Sequence, residues 1–152
     1  MKTELGLITV DYSLSISNMI QLARFDSVAD CLKSETNLKL FPIDEELIGT
    51  RVEVKQALFN FDKKLNKNKA IAGMKREGYR QATLPELLAL AIEDPELQRK
   101  FSIVALAAKF KGNSISIMAH GLQRFSNSTN IRALVLCSSE IDNYSHYLAV
   151  AI

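Results

Sequence analysis

The sequence of 152 residues contains no tryptophan, and aromatic residues make up only 7% of it. This scarcity argues against the rows of aromatic side chains on which proteins stack bases or sugars. No apolar run approaches the roughly 20 residues that cross a bilayer, so no membrane partner is predicted. With 47% hydrophobic and 24% charged residues, the composition is that of one folded globular domain.

Cysteine and histidine are also scarce, with two of each. Cys31 and Cys137 make no metal-binding or redox spacing, and His120 and His146 have no second ligand residue at helical or hairpin spacing. The sequence therefore predicts neither a metal nor a cofactor. Such cysteine usage suits a reducing compartment, and we expect a cytoplasmic protein.

Charge is unevenly distributed along the chain. Residues 1–50 contain four basic and eight acidic residues, whereas residues 51–111 contain thirteen basic and seven acidic ones. The basic excess between positions 63 and 80 has two interpretations: a phosphate-binding face for nucleic acid, or the solvated face of an amphipathic helix. The nucleic-acid contacts would be Lys67, Lys69 and Arg76. Because no aromatic residue interleaves with these lysines, we favour the solvated face and keep nucleic acid as an alternative.

Alternating and apolar segments separated by turn residues predict an α+β fold with an antiparallel sheet and two to four helices. We treat residues 1–152 as a single domain. The predicted strands are 5–12, 50–62, 102–110, 114–117, 131–137 and 146–152. The predicted helices are 16–25, a short turn at 28–33, one capped by Asn66 or Asn68, one capped by Thr83, and a short one after Asp94-Pro95. Residues 37–49 and 122–130 are predicted loops.

Local signals define several of these boundaries. Ser15 is typical of a helix N-cap, and Gly78 suits the position just after a helix. Thr83 and Glu86 form a capping box, in which Glu86 reaches back to the N-terminal end of its own helix. An apolar C-terminal strand needs a partner, so we expect residues 146–152 to pair inside the sheet beside the first strand, or across a dimer interface. The protein is accordingly expected to be a monomer or a homodimer.

The segment 78–89 (GYRQATLPELLA) resembles a motif of small bacterial proteins that read Gly-aromatic-Arg-Pro-Ala-Thr-x-x-Glu-Leu-Leu-Ala. The similarity also includes 10–15 and 41–43 before this motif and 95–101, 103–106 and 147–150 after it, so it spans most of the chain. Gln81 stands where that family has proline. This resemblance implies no activity, because the family carries no assigned function.

The order of elements is also similar to that of C-type-lectin-like domains and of the related formylglycine-generating enzyme fold. The latter has an Arg-Leu-Pro-Thr-x-x-Glu-Trp motif, and Leu87 stands here in place of its tryptophan. The lectin cysteines and calcium-binding motifs are missing from the sequence. The resemblance therefore implies a fold, without calcium-dependent sugar binding or formylglycine chemistry.

The polar loops at 123–130 and 138–145 are the best candidate recognition surface, because loops at the end of a rigid sheet commonly bind ligands. The candidate binding residues are Arg124, Arg132, Asn143, Tyr144 and His146. They favour a non-catalytic binding or interaction module whose partner is an unidentified protein or a small ligand. For the loops themselves, plain solvated connections are the commoner interpretation, and recognition is the alternative.

A small hydrolase is the alternative from another class. Its nucleophile would be Cys137 or Ser145, with His146 as the base and Asp142 as the third member of a triad. A cysteine at the end of an apolar strand is more often a buried structural residue. Ser145 and His146 are adjacent and would point to opposite faces of a strand, so they do not pair directly.

Overall fold

An eight-stranded sheet runs through the part of the chain that the structure, a computed structural model, describes: residues 1–120 and 131–152. The strands are β1 (Lys2–Asp11), β2 (Ser27–Val28), β3 (Arg51–Phe59), β4 (Tyr79–Gln81), β5 (Ile103–Phe110), β6 (Asn113–His120), β7 (Ile131–Cys137) and β8 (His146–Ala151). The helices are α1 (Ile16–Ala23), α2 (Glu35–Leu38), α3 (Lys67–Arg76) and α4 (Leu84–Glu93), with 3₁₀ turns at Asp30–Leu32 and Leu97–Arg99. The predicted α+β fold class is confirmed. The predicted loop 122–130 lies outside the described residues.

The strand order across the sheet is β1-β3-β8-β5-β6-β7-β2, and β4 pairs with β8 beside this path. Most neighbours are antiparallel, as expected, but β8 runs parallel to β5 and β2 runs parallel to β7. The sheet is therefore mixed. The parallel β5–β8 pair arises because the chain, after β7, crosses over β6 and β5 before β8 pairs with the far edge of β5.

The C-terminal strand β8 lies in the middle of the sheet. Its residues Tyr147–Val150 pair with Gln56–Phe59 of β3, and its other edge pairs with β5 and then β4. The prediction that this strand pairs inside the sheet is confirmed, but β3 separates it from β1, so the predicted neighbour is wrong. The reason is visible in β3, whose residues from Gln56 to Phe59 are all buried, as expected of a strand with a partner on each edge.

Apolar side chains pack on both faces of the sheet. One face lies under α1 and α4 and holds the larger group, which we call the α1/α4 core. The opposite face lies under α3 and holds the α3 core. Successive side chains of a strand point to opposite faces, so β8 contributes to both cores. Leu148 and Val150 belong to the α1/α4 core, and Tyr147 and Ala149 belong to the α3 core.

Strand β5 is buried over Ile103–Leu106, in agreement with its prediction as a central strand. Beyond that point Ala107 and Lys109 are exposed. The register with β6 shifts between Ala105 and Lys109, so a bulge interrupts the ladder there. This irregularity turns a lysine outward from a strand that is otherwise apolar.

The edge strand β1 also contains a bulge. Its register with β3 shifts between Glu4 and Gly6, where the chain adopts a φ of +86°. Side chains other than glycine are strained in this conformation, so the bulge depends on Gly6.

The helix ends follow the local signals of the sequence. The Ser15 hydroxyl accepts the Asn18 N–H at 3.1 Å and caps α1. Asn66 rather than Asn68 caps α3, since its carboxamide oxygen accepts the Asn68 N–H at 2.7 Å. Gly78 follows α3 with a φ of +84°, as its prediction as the residue after the helix requires.

Glu86 organises the start of α4. Its carboxylate accepts the Thr83 N–H and hydroxyl, both at 2.9 Å, and the two terminal nitrogens of the Arg80 guanidinium at 2.9 and 2.7 Å. Glu86 is 1% exposed, whereas the Arg80 side chain is 47% exposed. The predicted capping box is confirmed, and an ion pair that the sequence analysis did not assign is added to it.

These contacts predict that Glu86→Ala destabilises the protein more than Thr83→Ala. Loss of the cap hydroxyl is expected to lower the free energy of unfolding by about 1 kcal/mol. Loss of the carboxylate removes four hydrogen bonds and is expected to lower the free energy of unfolding by about 3 kcal/mol. This value is near the low end for a broken buried ion pair, because Arg80 keeps access to water. Urea unfolding of both variants measures the difference. Equal losses would contradict the central role of Glu86.

Candidate functional site

A tight turn before β8, which we call the Asp142 turn (residues 142–145), is ordered by one carboxylate. Asp142 Oδ1 accepts the N–H groups of Tyr144 at 2.9 Å and Ser145 at 2.7 Å, and Oδ2 accepts the Ser145 hydroxyl at 3.2 Å. Aspartate side chains commonly form such turns with the backbone that follows them. The sequence analysis considered Asp142 only as a member of a catalytic triad, whereas the structure makes it the organiser of this turn.

Two neighbours hold the Asp142 turn against the sheet. The buried Tyr147 hydroxyl accepts the Asp142 N–H at 2.9 Å. The Asn60 side chain donates to the carbonyls of Asn143 and Ser145 at 3.3 and 3.1 Å. Tyr144, in contrast, is 84% exposed. A fixed backbone therefore presents an exposed aromatic side chain.

A groove of about 560 Å³ opens beside this turn, between the N-terminal end of α3 and the segment that follows β7. Its lining residues are Lys64, Leu65, Asn66, Lys67, Asn68, Ser139, Glu140 and Ile141. The Ser139 hydroxyl donates to the Gly112 carbonyl at 3.0 Å, which joins this wall to the β5–β6 turn. Lys64 and Glu140 form an exposed ion pair of 3.7 Å across the groove.

Lys67 lies deeper than the other lysines of α3. It is half-buried and shares one stripe of the helix with the buried Ala70 and Met74, whereas Lys69 and Arg76 are exposed on the opposite side. The structure therefore separates the three residues predicted to bind nucleic acid. Burial, together with the nearby Lys109 ammonium, lowers the Lys67 pKa to about 8.

Lys109 is exposed and belongs to a polar row on the same side of the sheet as the α3 core. Ser114 of β6 is the register partner of both Lys109 and Cys137, so the three side chains lie side by side on this face. Ser114 is fully buried, and its hydroxyl has no hydrogen-bond partner among the described residues. The sequence analysis did not select Lys109 or Ser114. The available signal was a single lysine within the apolar strand Ile103–Phe110.

The candidate residue Arg132 lies at the start of β7, at the other end of that strand from the Asp142 turn. It is 5% exposed, and its guanidinium donates to four backbone carbonyls and one side chain. The acceptors are the carbonyls of Ala23, Arg24, Ala91 and Pro95 and the Gln98 carboxamide, at 2.7 to 3.5 Å. This geometry uses all five guanidinium hydrogens and gives Arg132 a structural role between α1 and α4.

The remaining candidates divide between two surfaces. Asn143 and Tyr144 belong to the Asp142 turn, whereas the half-buried His146 stacks on Phe101 with ring centroids 4.3 Å apart. The His146 Nδ1 atom is buried without a partner among the described residues, and burial lowers the pKa of its imidazole. Arg124 lies outside the described residues.

The structure does not bring Cys137 and His146 together. Cys137 packs against the α3 core, whereas strand alternation places His146 with Leu148 on the α1/α4 side, where Phe101 also packs. Burial, with a smaller contribution from the Asp142 carboxylate, raises the Cys137 pKa to about 11. A thiol in this state is a poor nucleophile at neutral pH.

No protein-family model, curated protein or solved structure matches this chain. The resemblances to a small bacterial family and to C-type-lectin-like domains therefore stay predictions. Within residues 1–120 and 131–152, no helix combines the length and apolar character needed to cross a bilayer. The same residues contain no group of three or more His, Cys, Asp or Glu side chains placed to hold a metal ion.

We expect Arg132→Lys to lower the free energy of unfolding by about 2 kcal/mol, since an ammonium offers three donors where the guanidinium uses five. The matched control is Arg24→Lys, at an exposed arginine near the same carbonyls, which we expect to change stability by less than about 0.5 kcal/mol. Chemical denaturation measures both. A fully stable Arg132→Lys variant would show that these hydrogen bonds do not hold the helices.

We expect Lys109→Gln to raise the Lys67 pKa above its value of about 8. The shift should stop short of the ordinary 10.5, because burial is the larger cause of the depression and remains in the variant. Titration of ¹³C-labelled lysine side chains by NMR measures it. Lys64→Gln, which removes another groove lysine, is the control and should leave the Lys67 midpoint in place. An unchanged midpoint in Lys109→Gln would disprove the coupling.

Proposed function

We propose that this protein is a non-catalytic binding module whose recognition surface combines the Asp142 turn with the adjoining groove. The observation that carries the proposal is the fixed presentation of Tyr144. Its side chain is 84% exposed, while the turn around it is held by six hydrogen bonds. Large exposed aromatic side chains are favoured contact residues at interfaces.

The order of the turn strengthens the proposal on energetic grounds. Binding through a flexible loop requires that loop to lose conformational freedom, and this loss weakens the complex. The Asp142 carboxylate has already fixed the backbone of Tyr144 and Ser145. A partner that contacts Tyr144 would therefore lose little affinity to the ordering of the loop.

The partner in this proposal is a protein or a small ligand, and the module acts as a monomer or a homodimer in the cytoplasm. The free thiols of Cys31 and Cys137 support a reducing compartment. A hydrolase has less support, because Cys137 and His146 face different cores and the Cys137 thiol is held protonated. Nucleic acid also has less support, because Lys67 lies on the opposite side of α3 from Lys69 and Arg76.

Site-specific photo-crosslinking tests the proposal. A benzophenone amino acid placed at position 144 is expected to give discrete covalent adducts in cells, which mass spectrometry identifies. The same probe at Leu40, an apolar residue that is 60% exposed elsewhere, is the control. Asp142→Ala should reduce the adducts at position 144, because it releases the turn while the probe stays in place.

Two outcomes would contradict the proposal. Position 144 could give no adduct, or both positions could give the same ones. Tyr144→Ala should leave the melting temperature unchanged, because the side chain is exposed. The variant therefore separates loss of binding from loss of folding.

A further inference from the structure

We propose that the free edge of β1 and the apolar groove beside it bind a short extended segment of a partner protein, in which basic residues flank an apolar one. The segment adds to the sheet as one further strand. This surface lies on different elements from the Asp142 turn and does not depend on Tyr144. Three observations support it: backbone groups at the open edge of β1, an apolar groove along that edge, and the charge of this groove.

The first observation concerns the backbone of β1. Among the described residues, β3 is the only strand that pairs with it. The Tyr12 N–H donates to the Thr50 carbonyl at 2.8 Å, and the Tyr12 carbonyl accepts the Gly49 N–H at 2.9 Å, so the backbone groups of Tyr12 face the β3 side. Because this orientation alternates along an antiparallel strand, the N–H and C=O groups of Leu7 and Thr9 face the open edge. An added strand forms its hydrogen bonds with such groups.

The second observation is a groove of about 180 Å³ along this edge, between β1, α1 and α4, which we call the β1 groove. Its apolar lining residues are Leu14, Met19, Leu22, Ala89 and Ile92. Leu22 and Ile92 are 51% and 37% exposed, and Leu7, on β1 itself, is 65% exposed. Exposed apolar residues grouped in this way are typical of interaction sites. The volume lies below the usual range for small-molecule sites, so the β1 groove suits a side chain of a partner better than a free ligand.

The third observation is the charge of the β1 groove. Asp11 and Glu93 line it, and its described lining contains no basic side chain. Arg51 lies 3.2 Å from Asp11, but Glu93 forms no ion pair in the part of the chain that is described. Basic side chains next to the apolar one of a partner would provide the missing counter-charge. Charge complementarity therefore favours a basic segment over an acidic one.

The same features favour a different protein over a second copy of this chain. The register shift between Glu4 and Gly6 limits the added strand to a short one, opposite residues 7–11. Residues 7–11 of a second copy contain Asp11 and no basic residue. Pairing two such segments would bring a further carboxylate to the interface without a cation. A segment with basic residues around an apolar one satisfies both the β1 groove and its charge.

NMR titration of the full chain with a synthetic peptide tests the inference. The probe is Thr-Lys-Thr-Ile-Thr-Lys, which as a strand presents an isoleucine between two lysines on one side. We expect saturable shifts in the amides of residues 7–11. The Leu7 and Thr9 amides should exchange with solvent about tenfold more slowly in the complex, because the added strand accepts their hydrogen bonds. The acidic counterpart, with glutamate in place of both lysines, should bind about tenfold more weakly.

Two exposed leucines provide matched variants. Leu22→Lys places a cation in the β1 groove and should weaken binding of the basic peptide about tenfold, because like charges repel across an interface. Leu40→Lys changes a leucine outside this groove and should leave the affinity within about twofold. Glu93→Gln should weaken binding about threefold, as expected for an exposed charge pair. Thermal unfolding of each variant checks that it is folded.

Three results would overturn the inference. Equal binding of the two peptides would show that the carboxylates of the β1 groove do not select the partner. Unchanged exchange of the Leu7 and Thr9 amides would show that no strand is added at this edge. A concentration-dependent dimer that protects the same amides without peptide would identify a second copy as the occupant. Tyr144→Ala should bind the basic peptide normally, so failure at the edge of β1 and failure of the proposed function give different results.

Discussion

The position of β8 in the middle of the sheet is the constraint on which the rest of the structure depends. The chain leaves β7 on one side of the β5–β6 hairpin and must enter between β5 and β3 on the other. The connecting segment therefore crosses the face covered by α3, where Ile141 packs into the α3 core. The Asp142 turn, with its exposed tyrosine, and one wall of the groove are parts of this crossing.

The features that could be predicted from the sequence are those decided within a few residues. Ser15, Gly78 and the Thr83–Glu86 box act on backbone groups that lie three or four positions away, so their types and spacing suffice. Pairing partners are decided at long range. The apolar character of the last strand predicted that it would be paired. Its partner, the buried stretch of β3, is known only from the structure.

The candidate site was predictable to the same limited extent. Asn143 and Tyr144 stood out as polar and aromatic residues in a turn, and they do belong to one rigid turn. Arg132 looked like an exposed loop cation because it stands near the start of a strand, yet the ends of α1 and α4 enclose it. Lys67 and Lys109 are 42 positions apart, counted from their numbers, and no local pattern relates them. Any relation between them depends on how α3 packs against its side of the sheet.

The bulge at Gly6 has a consequence for how copies of this chain meet. An edge strand offers free N–H and C=O groups to any extended segment that approaches it, and fibrils grow through such continuous ladders. In β1 the register shift between Glu4 and Gly6 divides the edge into two short pieces that cannot both align with one straight neighbour. The charges of the half-buried Lys2 and the exposed Glu4 add a further barrier on the first piece. A glycine that is required for its backbone conformation, and beside which a side chain would meet only open space, thus protects the longest described strand against templated growth.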